Sequence, residues 1–295
     1  MRWTATLAVL AASWGLITVL VDSVALGAPV LALHRLALAA LTLALVAALT
    51  QTDVSARGNA GTLGLLGALQ AVHWVLFFEA VKLGSVALAV MTFYTAPVIL
   101  AIAAPILLSE PTRRVALAAL PLGSAGVALV ALAGDGGTHA SASAITCGLG
   151  SAATYAALVL VSKRLLRDGT PPLTVALWDC AVGALVLVPV VAIADRVVPS
   201  TTGDWAAVLA LGVVFTGLST LVYAASLRHV SAQSAGLLTF LEPVAAVVLA
   251  AALLDNPVSV KTAIGGALVL TAGLLVVGDS ASAATRNGSR ATVSL

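Results

Sequence analysis

Charge is what this chain has least of. Only 9% of its 295 residues are Asp, Glu, Lys or Arg, against 61% apolar, and the mean hydropathy is +1.12. A water-soluble domain carries about 25% charged residues, so this chain cannot cover itself with solvated side chains and reads as a polytopic membrane protein. Cysteine is nearly absent: Cys147 and Cys180 both lie in apolar runs, which leaves no disulfide framework and no metal cluster. The basic residues are few and scattered and the net charge is +2, which argues against a nucleic-acid partner. No Gly-rich loop ends in Lys-Ser/Thr, which argues against primary active transport by this chain alone. Neither His-Glu-x-x-His nor Gly-x-Ser-x-Gly occurs, which makes an intramembrane hydrolase a weak reading. A non-enzyme with no metal or other cofactor is expected.

What is abundant is the long apolar run. Crossing a hydrocarbon core of ~30 Å takes about 20 residues of helix, and ten runs qualify: Trp3–Val21, Pro29–Leu49, Gly61–Val81, Ser85–Leu108, Val115–Leu132, Ser143–Leu165, Pro172–Ala194, Trp205–Leu227, Ala232–Leu254 and Thr262–Val277. Turn-forming residues separate them, as in Arg167-Asp168-Gly169-Thr170-Pro171-Pro172. The last stretch, 279–295, is rich in Ser, Ala and Thr and reads as a disordered cytoplasmic tail. Arg2 ahead of the first run resembles the start of a cleaved signal peptide, but nine further runs favour a retained helix.

Lys and Arg concentrate on cytoplasmic loops. With the N-terminus inside, the inner side holds Arg2, Arg57, Arg113, Arg114, Lys163, Arg164, Arg167, Arg228, Arg286 and Arg290, and the outer side Lys82, Arg196 and Lys261. Ten against three supports both termini on the cytoplasmic side.

Sliding the chain by 146 residues aligns Ser85–Pro111 with Ser231–Pro257 at eight identities in 27 positions, including Ser85/Ser231, Pro97/Pro243 and Pro111/Pro257. Two prolines at the same spacing are hard to match by chance, even in an Ala- and Leu-rich chain. The expected fold is therefore an all-α integral membrane protein of ten transmembrane helices in two five-helix repeats, 1–135 and 136–278. An odd number of spans per repeat inverts the second copy, which is a transporter architecture.

The run Leu76-Phe77-Phe78-Glu79-Ala80-Val81-Lys82-Leu83-Gly84-Ser85, then Thr95-Ala96-Pro97-Val98, Leu108-Ser109-Glu110-Pro111, Leu241-Glu242-Pro243-Val244, Gly265-Gly266-Ala267 and Ala272-Gly273, with Trp14-Gly15 and Arg35, resembles the EamA family of the drug/metabolite transporter superfamily. The resemblance extends to Val277. It implies ten helices, a plasma-membrane location and efflux of small metabolites, amino acids or drugs. Asp255-Asn256-Pro257 departs from the family's Gly-Glu-Pro and weakens the case for its first-half counterpart, Glu110.

The residues worst placed for lipid are the candidate site. At a rise of ~1.5 Å per residue, Glu242 lies roughly 15 Å into its span and His73 roughly 18 Å into another, with Gln70 a turn away on the same face. Glu242 beside Pro243 either holds a proton or substrate, or is a protonated structural carboxylate bonded to groups the proline frees. Arg35 and Asp179, about 10 Å deep by the same rise, either form a buried pair or leave Arg35 for an anionic substrate group. Glu242, His73 and Asp179 are the proton-coupling candidates. Among interior aromatics, Trp14, Tyr94, Tyr155, Trp178 and Phe240 could line a substrate pocket or simply pack. Glu79 and Lys82 have the spacing of a local pair, and Lys163, Arg164 and Arg167 read as orientation anchors. Small residues at Ala119, Gly123 and Gly126 and at Ala263, Ala267 and Thr271 suggest close packing of the fifth and tenth helices, as scaffold or as a homodimer contact. The expected function is secondary active export of small metabolites by alternating access, driven by a proton or by the substrate's own gradient. A lipid-handling or structural subunit is the alternative, with membrane lipids as the other partner.

Overall fold

The computed structural model describes residues 2–22, 24–56, 58–111, 114–132, 141–192, 197–254 and 259–293. Arg57, Arg113, Arg196, most of the Gly-rich connection after Leu132 and the divergent Asp255-Asn256-Pro257 lie outside the described residues. Within them the chain is all helix and turn, with no strand. Eight helical stretches are long and apolar enough to cross a membrane: Ala28–Leu49, Ala60–Leu83, Leu88–Leu108, Ala142–Arg167, Pro172–Val191, Thr202–Leu227, Ala232–Leu249 and Val260–Asp279. The other two expected runs fall short as single helices: the first is divided in two, and Arg114–Leu129 is a shorter apolar helix.

The chain opens with α1 (Arg2–Ser13) and α2 (Gly15–Asp22), parted at Trp14. α3 (Ala28–Leu49) and α4 (Ala60–Leu83) are long and continuous. α5 (Val86–Phe93) and α6 (Ala96–Leu108) share one span and part at Tyr94-Thr95, just ahead of Pro97. α7 is Arg114–Ala131, α8 Ala142–Arg167 and α9 Pro172–Val191. α10 (Thr202–Leu209) runs through a π-helical segment, Ala210–Leu218, into α11 (Ser219–Leu227). α12 (Ala232–Leu238) and α13 (Leu241–Leu254) part at Thr239-Phe240. α14 runs Val260–Val293, so the backbone stays helical through residues expected as an irregular tail.

The two proline-linked breaks are built alike. Ser85 and Ser231 each cap the helix that follows, their side chains accepting from Leu88 N and Ser234 N at 3.2 Å. Where each short helix ends, a threonine hydroxyl takes up a freed carbonyl: Thr95 Oγ1 donates to Thr92 O and Thr239 Oγ1 to Gly236 O, both at 2.7 Å. Breaking the helix there puts Pro97 and Pro243 in the first turn of the next one, where a missing N–H costs nothing.

α7 and α14 lie against each other, α3 packs along α9, and α4 is wedged between α8 and α9. Apolar side chains point outward all round, Leu41, Leu49, Ile106, Leu185 and Leu274 among them, as a lipid-facing surface requires. Gly126 meets the Gly265 carbonyl and Val269 so closely that an added Cβ would stand 2.6 Å from that oxygen. Ala119, Gly123 and Gly126 are therefore the inner face of α7. On α14 the inner face is instead Gly265, Val269, Ala272 and Val276, while Ala263, Ala267 and Thr271 are exposed. The small residues of α14 singled out by sequence thus face away from α7, because the 265-269-272-276 stripe offers both a glycine and ridge-forming valines. Glu79 and Lys82 form the expected local pair, at 2.9 Å.

Candidate functional site

Glu242 sits on the first turn of α13, straight after the break, where the free N–H groups and the helix dipole favour a carboxylate. Its backbone N–H donates to Thr239 O at 3.1 Å. The Tyr94 hydroxyl, from the equivalent break between α5 and α6, lies beside the Glu242 carboxylate, and Arg35 of α3 lies within electrostatic reach of it.

Arg35 is buried and fixed on several sides. Its Nε donates to Thr216 Oγ1 at 3.1 Å, and its guanidinium lies 5.2 Å above the Trp74 ring. Thr216 belongs to the π-helical segment, where its hydroxyl donates to Leu211 O at 2.7 Å. Gly212 and Gly217 bring that segment hard against α3: a Cβ on Gly212 would stand 2.6 Å from Leu38 Cβ. The wide turn is what aims Thr216 at Arg35, and such turns recur at functional sites. The guanidinium's carboxylate neighbour is Glu242 and not Asp179, the partner suggested by sequence depth, because the helix break swings Glu242 inward from α13.

Trp14 closes the cluster from the α1–α2 break. Its Nε1 donates to Ser219 Oγ at 2.5 Å and its ring tilts over Tyr223 at 5.8 Å. Gly15 explains why the pair is Trp-Gly: a Cβ there would lie 2.5 Å from Ala246 N and 2.7 Å from Ala245 C, so the α2 backbone rests directly on α13 beyond Glu242-Pro243.

Asp179, on α9, is 5% exposed, and its Oδ1 has no hydrogen-bond partner among the described residues. Tyr155 of α8 lies within electrostatic reach of both Asp179 and Glu242, and its hydroxyl faces that of Tyr223. Tyr223 Oη is itself buried without a partner at ordinary hydrogen-bond geometry. Two carboxylates thus lie within reach of one tyrosine hydroxyl, which faces a second.

His73 is placed differently from its sequence expectation. It is 5% exposed, its Nδ1 lies 2.9 Å from Ser151 Oγ and 3.2 Å from Ser151 O, and Trp74, Phe77, Phe93 and Tyr155 surround the ring. It joins α4 to α8 and meets the Glu242 cluster through neighbouring rings, Tyr155 and Trp74 among them. Gln70 packs against Gly183 of α9. Trp178 donates from Nε1 to Val54 O at 2.9 Å, which fastens the α3–α4 connection. Phe240, 1% exposed, lies against Gly123 of α7 and 5.7 Å from the Tyr94 ring, so it acts as a wedge between α7 and the break. A cavity of about 180 Å³ opens beside Tyr94, lined by Met91, Thr95, Val98, Ser124, Val127 and Ala128.

Trp74, Ser151, Thr216 and Ser219 were not picked out from the sequence as site residues. For the three hydroxyl residues the only available signal was a small polar side chain inside an apolar run, which is usually a bond to its own helix.

The sequence matches the family described as the EamA-like transporter family over residues 1–132 and 142–278. An uncharacterized transporter of Bacillus subtilis (strain 168), YxxF, is 27% identical over 186 residues, 60% of this chain and 57% of that protein, so the match spans less than two thirds of that relative. An uncharacterized transporter of Archaeoglobus fulgidus is 28% identical over 200 residues, 68% of this chain and 70% of that protein. A crystal structure 19% identical in sequence superposes with a TM-score of 0.80 over 93% of this chain and 94% of the other, a likeness of fold alone. The family and both relatives are named as transporters, and the apolar helices are those of a multi-pass membrane protein. The chain belongs to the EamA-like transporter family and, with it, to the drug/metabolite transporter superfamily.

Proposed function

We propose that the chain is a secondary active transporter that exports a small metabolite, amino acid or drug by alternating access, exchanging it for a proton. The observation that carries this reading is the Glu242–Tyr94–Arg35 cluster: a carboxylate and a guanidinium held in the interior, at two helix breaks, by residues from four different spans. An interior charge in a membrane protein marks a substrate or ion pathway far more often than a lipid contact, and broken helices at the repeat interface are where such sites form. Arg35 suits an anionic group of the substrate. Glu242 and Asp179, both within reach of Tyr155, are the proton carriers in this reading, and His73 supports the aromatic wall.

Alternating access needs two exchangeable halves, and three features support ten spans in inverted five-helix repeats, 1–135 and 136–278. The breaks and caps at Ser85–Pro97 and Ser231–Pro243 correspond. Helix contacts recur with partners exchanged: α4 on α9 answers the π-helical segment on α3, and α5–α6 on α8 answers α13 on α1–α2. The two cavities also correspond, since Val244 and Leu270 of the groove between α13 and α14 lie 146 residues after Val98 and Ser124. The excess of Lys and Arg favours cytoplasmic termini in a bacterial-type inner membrane, with residues 279–295 as a cytoplasmic extension. A homodimer through the fifth and tenth helices would use the exposed Ala263, Ala267 and Thr271 face.

A thermal-shift screen of the purified protein against metabolites and drugs tests the binding half of this reading. A ligand at 100 times its Kd adds about 2.7 kcal/mol to stability, so a true substrate raises the melting temperature of the wild type and not of Arg35→Met. A library in which every stabilising compound acts equally on both proteins would remove Arg35 from the site.

A further inference from the structure

One end of the bundle carries a second buried charge pair that the central site does not use. Glu110, just past α6, and Lys163, in the last turns of α8, have side chains only 9% and 7% exposed and stand 3.8 Å apart. Glu110 Oε2 accepts from Ala232 N, the first residue of α12, at 2.9 Å. Lys163 Nζ donates to Leu227 O and Val230 O, the carbonyls at the end of α11, both at 2.6 Å. Arg167 donates from Nη1 to Leu108 O at the end of α6, and Gln233 from Nε2 to Pro111 O at 3.4 Å. Four of these contacts, Glu110 to Ala232, Glu110 to Lys163, Arg167 to Leu108 and Gln233 to Pro111, join the first half of the chain to the second.

We infer that Glu110, Lys163 and Arg167 form a latch that holds the cytoplasmic ends of the two halves together and must release for the central site to open inward. The latch rests on the alternating-access reading, and its chemistry suits a switch. Buried ion pairs return little net stability, because what they gain by attraction they lose in hydration. Water entering between the halves would therefore rehydrate Glu110, Lys163 and the helix-end carbonyls at small net cost. The closed state is still specific, since each donor has an acceptor at fixed geometry. The arrangement is one-sided. The residue 146 places before Lys163 is Ile17, so the opposite end lacks an equivalent cation from that helix, and Lys82 there is bonded within its own helix to Glu79.

Cysteine accessibility tests this in the full-length protein with Cys147 and Cys180 replaced by Ser. One reporter is Val230→Cys, 5% exposed within the latch; the other is Val81→Cys, near the opposite end of α4. Lys163→Met is expected to raise maleimide labelling of the Val230 reporter several-fold and to slow that of the Val81 reporter, because opening one end closes the other. Faster labelling at Val230 with no change at Val81 would show local fraying of α11 and overturn the latch, as would no change at either. Should Lys163→Met fail to purify as a monodisperse protein, Glu110→Gln decides: its amide oxygen still accepts from Ala232 N, but the charge facing Lys163 is gone, and the same opposed pair of changes is expected. Labelling needs no substrate, so a protein that moves no solute in flux assays but shows the opposed changes keeps the latch and loses the transport reading.

Discussion

Glu242 enters the protein interior on the first turn of a helix, not in the middle of one, and that placement removes most of what made it costly. The adjacent proline gives up no hydrogen bond there, the positive end of the helix dipole favours the carboxylate, and Tyr94 and Arg35 lie within reach of it. Arg35 is held by a directed bond from Nε and by stacking on Trp74, neither of which an ammonium reproduces. Arg35→Lys is therefore expected to lose transport nearly as completely as Arg35→Ala when initial efflux rates are compared in everted vesicles; a lysine variant at the wild-type rate would show that charge alone matters. Gly15→Ala forces a methyl group into the α13 backbone and is expected to destabilise the detergent-solubilised protein by roughly 1–3 kcal/mol, read as a lower unfolding midpoint. An unchanged midpoint would mean that α2 does not rest on α13.

Helix breaks are the elements that organise the site. α1–α2, α5–α6 and α12–α13 each part inside a span, and the π-helical segment widens a fourth; Trp14, Tyr94, Glu242 and Thr216 all come from these interruptions or their flanking turns. Two breaks were legible in sequence because proline announces them. The break at Trp14 has no proline, and the π-turn around Gly212 and Gly217 leaves no periodic mark in a uniformly apolar run, so the support for Arg35 and Trp14 was hidden. Depth counting put Glu242 and Arg35 in the interior, but it could not say which helix faces meet: it paired Arg35 with Asp179 and drew His73 toward Glu242, whereas packing gives His73 to Ser151. Lys163 read as a charge that sets orientation because nothing in a linear sequence shows that two helix-end carbonyls and Glu110 converge on it. The matching serine caps allow a direct comparison. Ser85→Ala and Ser231→Ala should each cost about 0.5–2 kcal/mol, and unequal losses in thermal unfolding would mean that the two breaks carry different loads.

The molecule as a whole is a lipid-facing bundle whose polar interior comes from both halves. In the inverted-repeat reading Lys82 and Arg228, 146 residues apart, lie on opposite sides of the membrane. Single cysteines at these positions, in a background with Cys147 and Cys180 replaced by Ser, should label with an impermeant maleimide from opposite faces of intact cells and inside-out vesicles. Labelling of both from one face would break the inversion and with it the symmetric exchange of states. The central claim, proton-coupled transport through Glu242, is tested most directly by solute-driven proton movement in proteoliposomes carrying a pH-sensitive dye, with compounds that stabilise the protein as solutes. The account predicts that at least one solute drives protons across the wild-type protein and that Glu242→Gln, folded and still binding that solute, drives none. Solute flux that ignores both the pH gradient and Glu242→Gln would contradict it.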